Sequence, residues 1–147
     1  MKLTVSKLNK FLLFKLPSAF FCGVRVKEID VNKCVVSVKH RWINQNPFNS
    51  MYFAVQAMAA ELSTGALVMF QIAKSGRKIS MLVANNKGNF TKKATGRITF
   101  TCNDGHLIEK AILETIATGE GQTFWMKSIG TNETGIQVSE MDFEWSV

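Results

Sequence analysis

SMYFAVQAMAAELSTGALVMFQIAK, residues Ser50–Lys74, is the stretch that decides the fold. From Met51 to Ala73 the clearly polar residues are Gln56, Glu61, Ser63, Thr64 and Gln71, and the remainder is rich in the helix formers Ala, Met and Leu. Ser50 is the expected N-cap, and Lys74, Gly76, Arg77 and Lys78 supply basic charge and a stop at the other end. A helix of about 23 residues spans roughly 35 Å and, being apolar nearly all round, must be buried on most sides. A membrane span has the same length. Against it, Glu61 sits at the middle, where a charge in lipid is expensive, and the flanking chain reads as strands. No stable membrane insertion is expected.

The flanking segments show what covers this helix. On its N-terminal side, Val24–Ile29 and the alternating Cys34, Val36 and Val38 form a predicted hairpin across Asp30–Lys33, and Asn44–Asn49 is a loop around Pro47. On its C-terminal side, Ile79, Met81 and Val83 alternate, Asn85–Gly88 reads as a turn, and Phe90–Cys102 as a strand. Asp104–Thr118 has a helical stripe of Ile108, Ala111, Ile112, Thr115 and Ile116, with Gly119 beyond its end. Phe124–Ile129, a turn at Thr131–Thr134, and a last strand through Trp145 complete the chain. The apolar parity changes between Val138 and Met141, which predicts a bulge near Ser139–Glu140. The expected fold is α+β, an antiparallel sheet of five or six strands wrapped around the long helix. Residues 1–147 read as a single domain with an N-terminal amphipathic helix at about 3–16. Lys15, Pro17 and the bulky Phe20 and Phe21 argue against a secretory signal there.

The chain has 147 residues and a formal charge of +7, which favours an anionic partner without naming one: nucleic acid, a membrane surface or a phosphorylated cofactor. No aromatic-rich basic strand motif is present, so nucleic acid is not expected. Cys22, Cys34 and Cys102 are odd in number and widely spaced, which excludes a disulfide framework and points to a reducing cytoplasm. No zinc signature, P-loop, dinucleotide fingerprint or serine-nucleophile elbow occurs, and no metal is expected. His40 and His106 read as surface or packing residues. That leaves Glu61. A carboxylate on an apolar helix must be paired, neutralised or used, and burial moves its pKa toward the range of a general base. Ala57 and Gly65, one turn away on either side, are small and leave room beside it. The alternative is a Glu61 satisfied by a core hydrogen bond or a subunit contact.

Asn46-Pro47-Phe48-Asn49-Ser50-Met51-Tyr52-Phe53-Ala54, followed by a helix carrying Glu61, resembles the signature of hotdog-fold thioesterases. In that superfamily the stretch commonly reads Asn-Pro-x-Gly-Thr-Val-His-Gly-Gly, with an acidic residue nine positions after the His. Here Tyr52 stands at the His position and Glu61 follows nine residues later. The chain looks like a bacterial hotdog family of unknown function related to the PaaI-type acyl-CoA thioesterases. The resemblance implies Glu61 as general base or nucleophile, the Phe53 backbone N–H as the group polarising the thioester carbonyl, and Asn46 as a residue orienting water or thioester. It implies a site completed across a subunit interface in a homodimer or tetramer, with no tightly bound cofactor and the CoA moiety arriving as part of the substrate. Lys92, Lys93 and Arg97 are the expected phosphate partners, with Lys93 and Arg97 on one face of the predicted strand; Arg77 and Lys78 are equally basic competitors. The expected function is acyl-CoA thioester hydrolysis, and the alternative is a noncatalytic acyl-CoA or fatty-acyl binding protein. Tyr52 in place of His disfavours a hotdog dehydratase, and Phe53 and Ala54 stand where the family has two glycines.

Overall fold

The computed structural model describes residues 2–147. Helix α1, Val5–Lys15, is capped by the Thr4 hydroxyl, which accepts the Lys7 N–H at 3.3 Å, and buries Leu8 and Leu12. A short helix α2, Pro17–Phe21, follows. Strands β1 (Arg25–Ile29) and β2 (Cys34–Lys39) form the expected hairpin, its turn held by the Asp30 carboxylate, which accepts the Asn32 and Lys33 N–H groups. The long helix is α3, Phe53–Ser75, ended by Gly76 in the left-handed conformation at φ 68°. Then come β3 (Leu82–Phe90), β4 (Arg97–Cys102), α4 (Gly105–Thr118), β5 (Thr123–Thr131) and β6 (Gln137–Ser146).

The six strands form one antiparallel sheet in the order β1-β2-β4-β5-β6-β3. Its concave side holds α3 through Val36, Val38, Ile98, Phe100, Met126, Phe143 and Trp145, all buried. Ala59, Ala60, Ser63 and Ala66 let the helix approach the sheet closely. Burial of this face, rather than lipid, accounts for the apolarity of α3.

The two sheet edges differ. At β1 the Asn9 side chain of α1 bonds both backbone groups of Val26, accepting its N–H at 2.9 Å and donating to its carbonyl at 3.0 Å, so this edge is covered. Strand β3 pairs only with β6 and is exposed along nearly its whole length.

Three boundaries depart from the sequence reading. Asn85–Gly88 is not a turn but the middle of β3, paired with Met141–Glu144 of β6. The strand expected from Phe90 begins only at Arg97, so Lys92 and Lys93 lie in a loop, and Lys93 does not share a strand face with Arg97. The β6 bulge falls one residue early: Gly130 faces Ser139 and Thr131 faces Gln137, leaving Val138 as the extra residue. The Val138 carbonyl accepts from the Thr91 and Lys92 N–H groups instead.

Candidate active site

The loop before α3 is organised by amides. Buried Asn44 donates to the carbonyls of Cys22 and Lys39 and accepts the Arg41 N–H, and its own carbonyl accepts the Tyr52 N–H at 2.9 Å. Asn46 accepts the N–H groups of Phe48 and Ser50 through Oδ1 and donates through Nδ2 to the Ser50 hydroxyl and the Met51 carbonyl. Ser50 is therefore spent inside the loop and does not cap the helix. The N-cap is Tyr52, which places no side-chain acceptor on the first turn. The opening amides of α3, those of Phe53 and Ala54, lie in the first turn, where N–H groups have no intrahelical acceptor and carry the positive end of the helix dipole.

In front of them lies a cleft of about 490 Å³ lined by Asn46, Phe48, Tyr52, Phe53, Gln56 and Phe90, with Lys92 and Lys93 at its border. The rings pack edge to face, Tyr52 on Phe53 at 5.1 Å and Phe53 on Phe90 at 6.1 Å between centroids. The Phe53 side chain is 56% exposed and leans toward the end of β3. Lys93 Nζ donates to the Phe48 carbonyl at 3.2 Å, tying the two walls together.

Of the five polar side chains of α3 between Phe53 and Ala73, three have partners in other elements: Ser63 bonds the Ser128 hydroxyl of β5 at 2.7 Å, Thr64 accepts the Trp145 indole N–H at 2.9 Å, and Gln71 donates to the Val31 carbonyl at 2.8 Å. The other two are Glu61 and Gln56. Glu61 is half-buried, and burial alone pushes its carboxyl from 4.5 up to about 7, with no ion pair or hydrogen bond among the described residues to offset it. Gln56 is 4% exposed and its Oε1 is buried without a partner among the described residues. Two other such atoms, His40 Nε2 and Ser139 Oγ, lie outside the cleft.

The expected site residues fall into separate groups. Asn46, Tyr52, Phe53, Lys92 and Lys93 come together at the cleft. Glu61, Ala57 and Gly65 lie further along α3, and the space expected beside Gly65 is filled: a Cβ there would sit 2.9 Å from Trp145 Cζ2 and 3.3 Å from Glu61 Oε1. Arg97 lines no part of the cleft; its guanidinium donates to Ser37 Oγ at 3.2 Å. Arg77 and Lys78 border a different hollow at the far end of α3. Nine residues of helix put Glu61 roughly 13 Å along the axis from Tyr52. One carbonyl cannot touch both the Phe53 N–H and the Glu61 carboxylate of the same chain. Gln56 was not singled out by the sequence; its signal was a neutral amide on a helix that offers it no partner.

Known structures share this architecture. PA5026 of Pseudomonas aeruginosa, a protein of unknown function described as a probable thioesterase, superposes with a TM-score of 0.83 at 21% identity, covering 99% of this chain and 96% of its own. OLEI01261 of Chlorobaculum tepidum, of unknown function, gives 0.85 at 14% identity over 99% and 96%. The thioesterase HI1161 of Haemophilus influenzae gives 0.75 at 11% identity over 99% and 91%. At these identities the likeness is one of fold, and the fold is the hotdog, as the Asn46–Ala54 stretch implied. No curated protein matches the chain in sequence. One family model spans residues 6–147, and the chain therefore belongs to that family, DUF4442, a domain of unknown function.

Proposed function

We propose that this chain hydrolyses acyl-CoA thioesters as a homodimer, the helix start of one protomer facing Glu61 of the other. The observation that supports it most is the half-buried Glu61 carboxyl, unpaired and raised to about 7 on the central helix. A carboxyl so poised takes a proton near neutral pH. Substrate binds with its carbonyl oxygen at the Phe53 N–H, where the helix dipole stabilises the developing oxyanion. Glu61 of the second protomer removes a proton from water as the water oxygen bonds the carbonyl carbon. The tetrahedral intermediate collapses with cleavage of the C–S bond, and the proton on Glu61 passes to the leaving thiolate. The acyl group lies among Phe48, Tyr52, Phe53 and Phe90, and Lys92 and Lys93, which line the same cleft, supply positive charge for CoA phosphates. The uncovered edge of β3 is the surface through which we expect the two sheets to join.

Turnover of a panel of acyl-CoA thioesters by wild type, with loss in Glu61→Gln and retained folding, is the test. Light scattering of a monomer at micromolar concentration would remove the two-protomer site. The second reading, an acyl-binding protein without turnover, is favoured by Tyr52 at the His position and by the Phe53 ring at the cleft. Copurified acyl-CoA seen by native mass spectrometry, with no hydrolysis of any thioester, would select it.

A further inference from the structure

We propose that Gln56, not Asn46, is the side-chain amide that meets the substrate. Its Oε1 would accept the N–H of the amide two carbons beyond the thioester sulfur. The inference rests on the thioester reading above and adds to it a recognition element on the thiol arm.

Asn46 is fully committed: its oxygen accepts from Phe48 and Ser50, and its nitrogen donates to Ser50 and Met51. Withdrawing it toward a substrate would unmake the turn that delivers the chain to α3. Gln56 is in the opposite condition. It lines the cleft, is 4% exposed, and has a buried Oε1 with no partner. A buried acceptor left unmade is costly, so a ligand bringing a donor to it gains a bond without breaking one.

Position narrows the donor. Gln56 follows Tyr52 by four residues, so both lie on one face of α3, and it stands roughly 4.5 Å along the axis from Phe53. It is turned about 140° from Glu61, so it serves the cleft and not the carboxylate of its own chain. A thioester carbonyl at the Phe53 N–H has no donor of its own. The first donor along the thiol arm is the amide N–H, four bonds from the carbonyl carbon, which matches one turn of helix. That amide is present in CoA, in carrier-protein phosphopantetheine and in N-acetylcysteamine, and the free and protein-bound sources share its chemistry.

The experiment compares two small thioesters of one acyl group, one on N-acetylcysteamine and one on O-acetyl-2-mercaptoethanol, in which oxygen replaces the N–H. Wild type should prefer the amide by roughly tenfold or more in kcat/KM. Gln56→Met, similar in shape and without the acceptor, should bring the ratio near one while the melting temperature stays level or rises. A wild-type ratio near one, or a tenfold ratio that survives in Gln56→Met, overturns the proposal. Gln56→Leu is the second variant; if neither variant folds, Gln56 is a packing residue and the proposal falls. If wild type turns over neither compound, the same pair is compared by calorimetric Kd. A tenfold preference lost in Gln56→Met then retains Gln56 and removes the hydrolase reading, whereas equal or absent binding removes both. In parallel, acyl-CoA and acyl carrier protein are compared as substrates to distinguish the two sources of the amide.

Discussion

Glu61→Gln should make the protein more stable at pH 8 and no more stable at pH 4. The folded protein holds the Glu61 proton to about pH 7, and an ordinary carboxyl releases it near 4.5. Between those values the folded state binds more protons than the unfolded one, so wild-type stability falls as pH rises through the window and is lowest above about 7. At about 1.36 kcal/mol per pH unit, the charged carboxylate costs about 3 kcal/mol at pH 8. Gln carries no charge, keeps the shape, and escapes that cost. A change of this size moves the melting temperature by on the order of 10 °C in a chain of this length. Urea unfolding of both proteins from pH 4 to 8.5, at one fixed protomer concentration, reads the difference directly. The curves should meet below pH 4.5 and separate progressively to about pH 7. Wild-type kcat/KM should rise over the same interval, since the base form is the charged one, while Glu61→Gln is flat and lower by ~10²–10⁴. A stability difference independent of pH, or a Gln variant weaker at pH 8, would refute the assignment of an unpaired, desolvated carboxyl.

Gly65→Ala gains helix propensity of ~1 kcal/mol. It nevertheless places a Cβ 2.9 Å from buried Trp145, and overpacking of ~1–3 kcal/mol outweighs the gain, so urea unfolding should show a net loss. A stabilised variant would mean that Trp145 can yield. Asn46→Ala removes the acceptor for Phe48 and Ser50 and the donor to Met51; about 1–3 kcal/mol should be lost, and an unchanged thermal melt would count against a committed Asn46.

The central helix and the hairpins were legible because burial leaves a period in sequence: α3 is apolar nearly all round, and Cys34, Val36 and Val38 alternate. Strand β3 was misread for the complementary reason. Asn85-Asn86-Lys87-Gly88 has turn composition, and from Ala84 to Phe90 the strand is exposed, so backbone pairing with β6 holds this part without a burial pattern in its side chains. Ser50 had the chemistry of an N-cap, but Asn46 competes for it, a contest that only the folded loop reveals. Glu61 was legible as a charge where none is expected. The space beside it was not, because Trp145 is 84 residues further along the chain and only the sheet brings its indole against Gly65.

A site divided between protomers makes one outcome available that a site within one chain forbids. Phe53→Pro removes the proposed oxyanion donor together with the Phe53 ring but leaves the backbone unstrained, since proline is tolerated at the first helical position and Tyr52, at φ −59° and ψ 134°, already has a conformation a following proline allows. Its kcat should fall by ~10²–10³, whereas Phe53→Ala, which keeps the N–H, should fall far less. Glu61→Gln and Phe53→Pro would thus be two nearly inactive homodimers with separate defects. Unfolded together and refolded at equal concentration, half their dimers are mixed, and each mixed dimer has one site with both lesions and one with neither. About a quarter of wild-type turnover should return. If Glu61 worked with the helix start of its own chain, every site in the mixture would carry a lesion and no activity would return. The roughly 13 Å of helix between the two groups argues for the first outcome. A mixed preparation shown by mass spectrometry to contain heterodimers, yet as inactive as its parents, would rule it out.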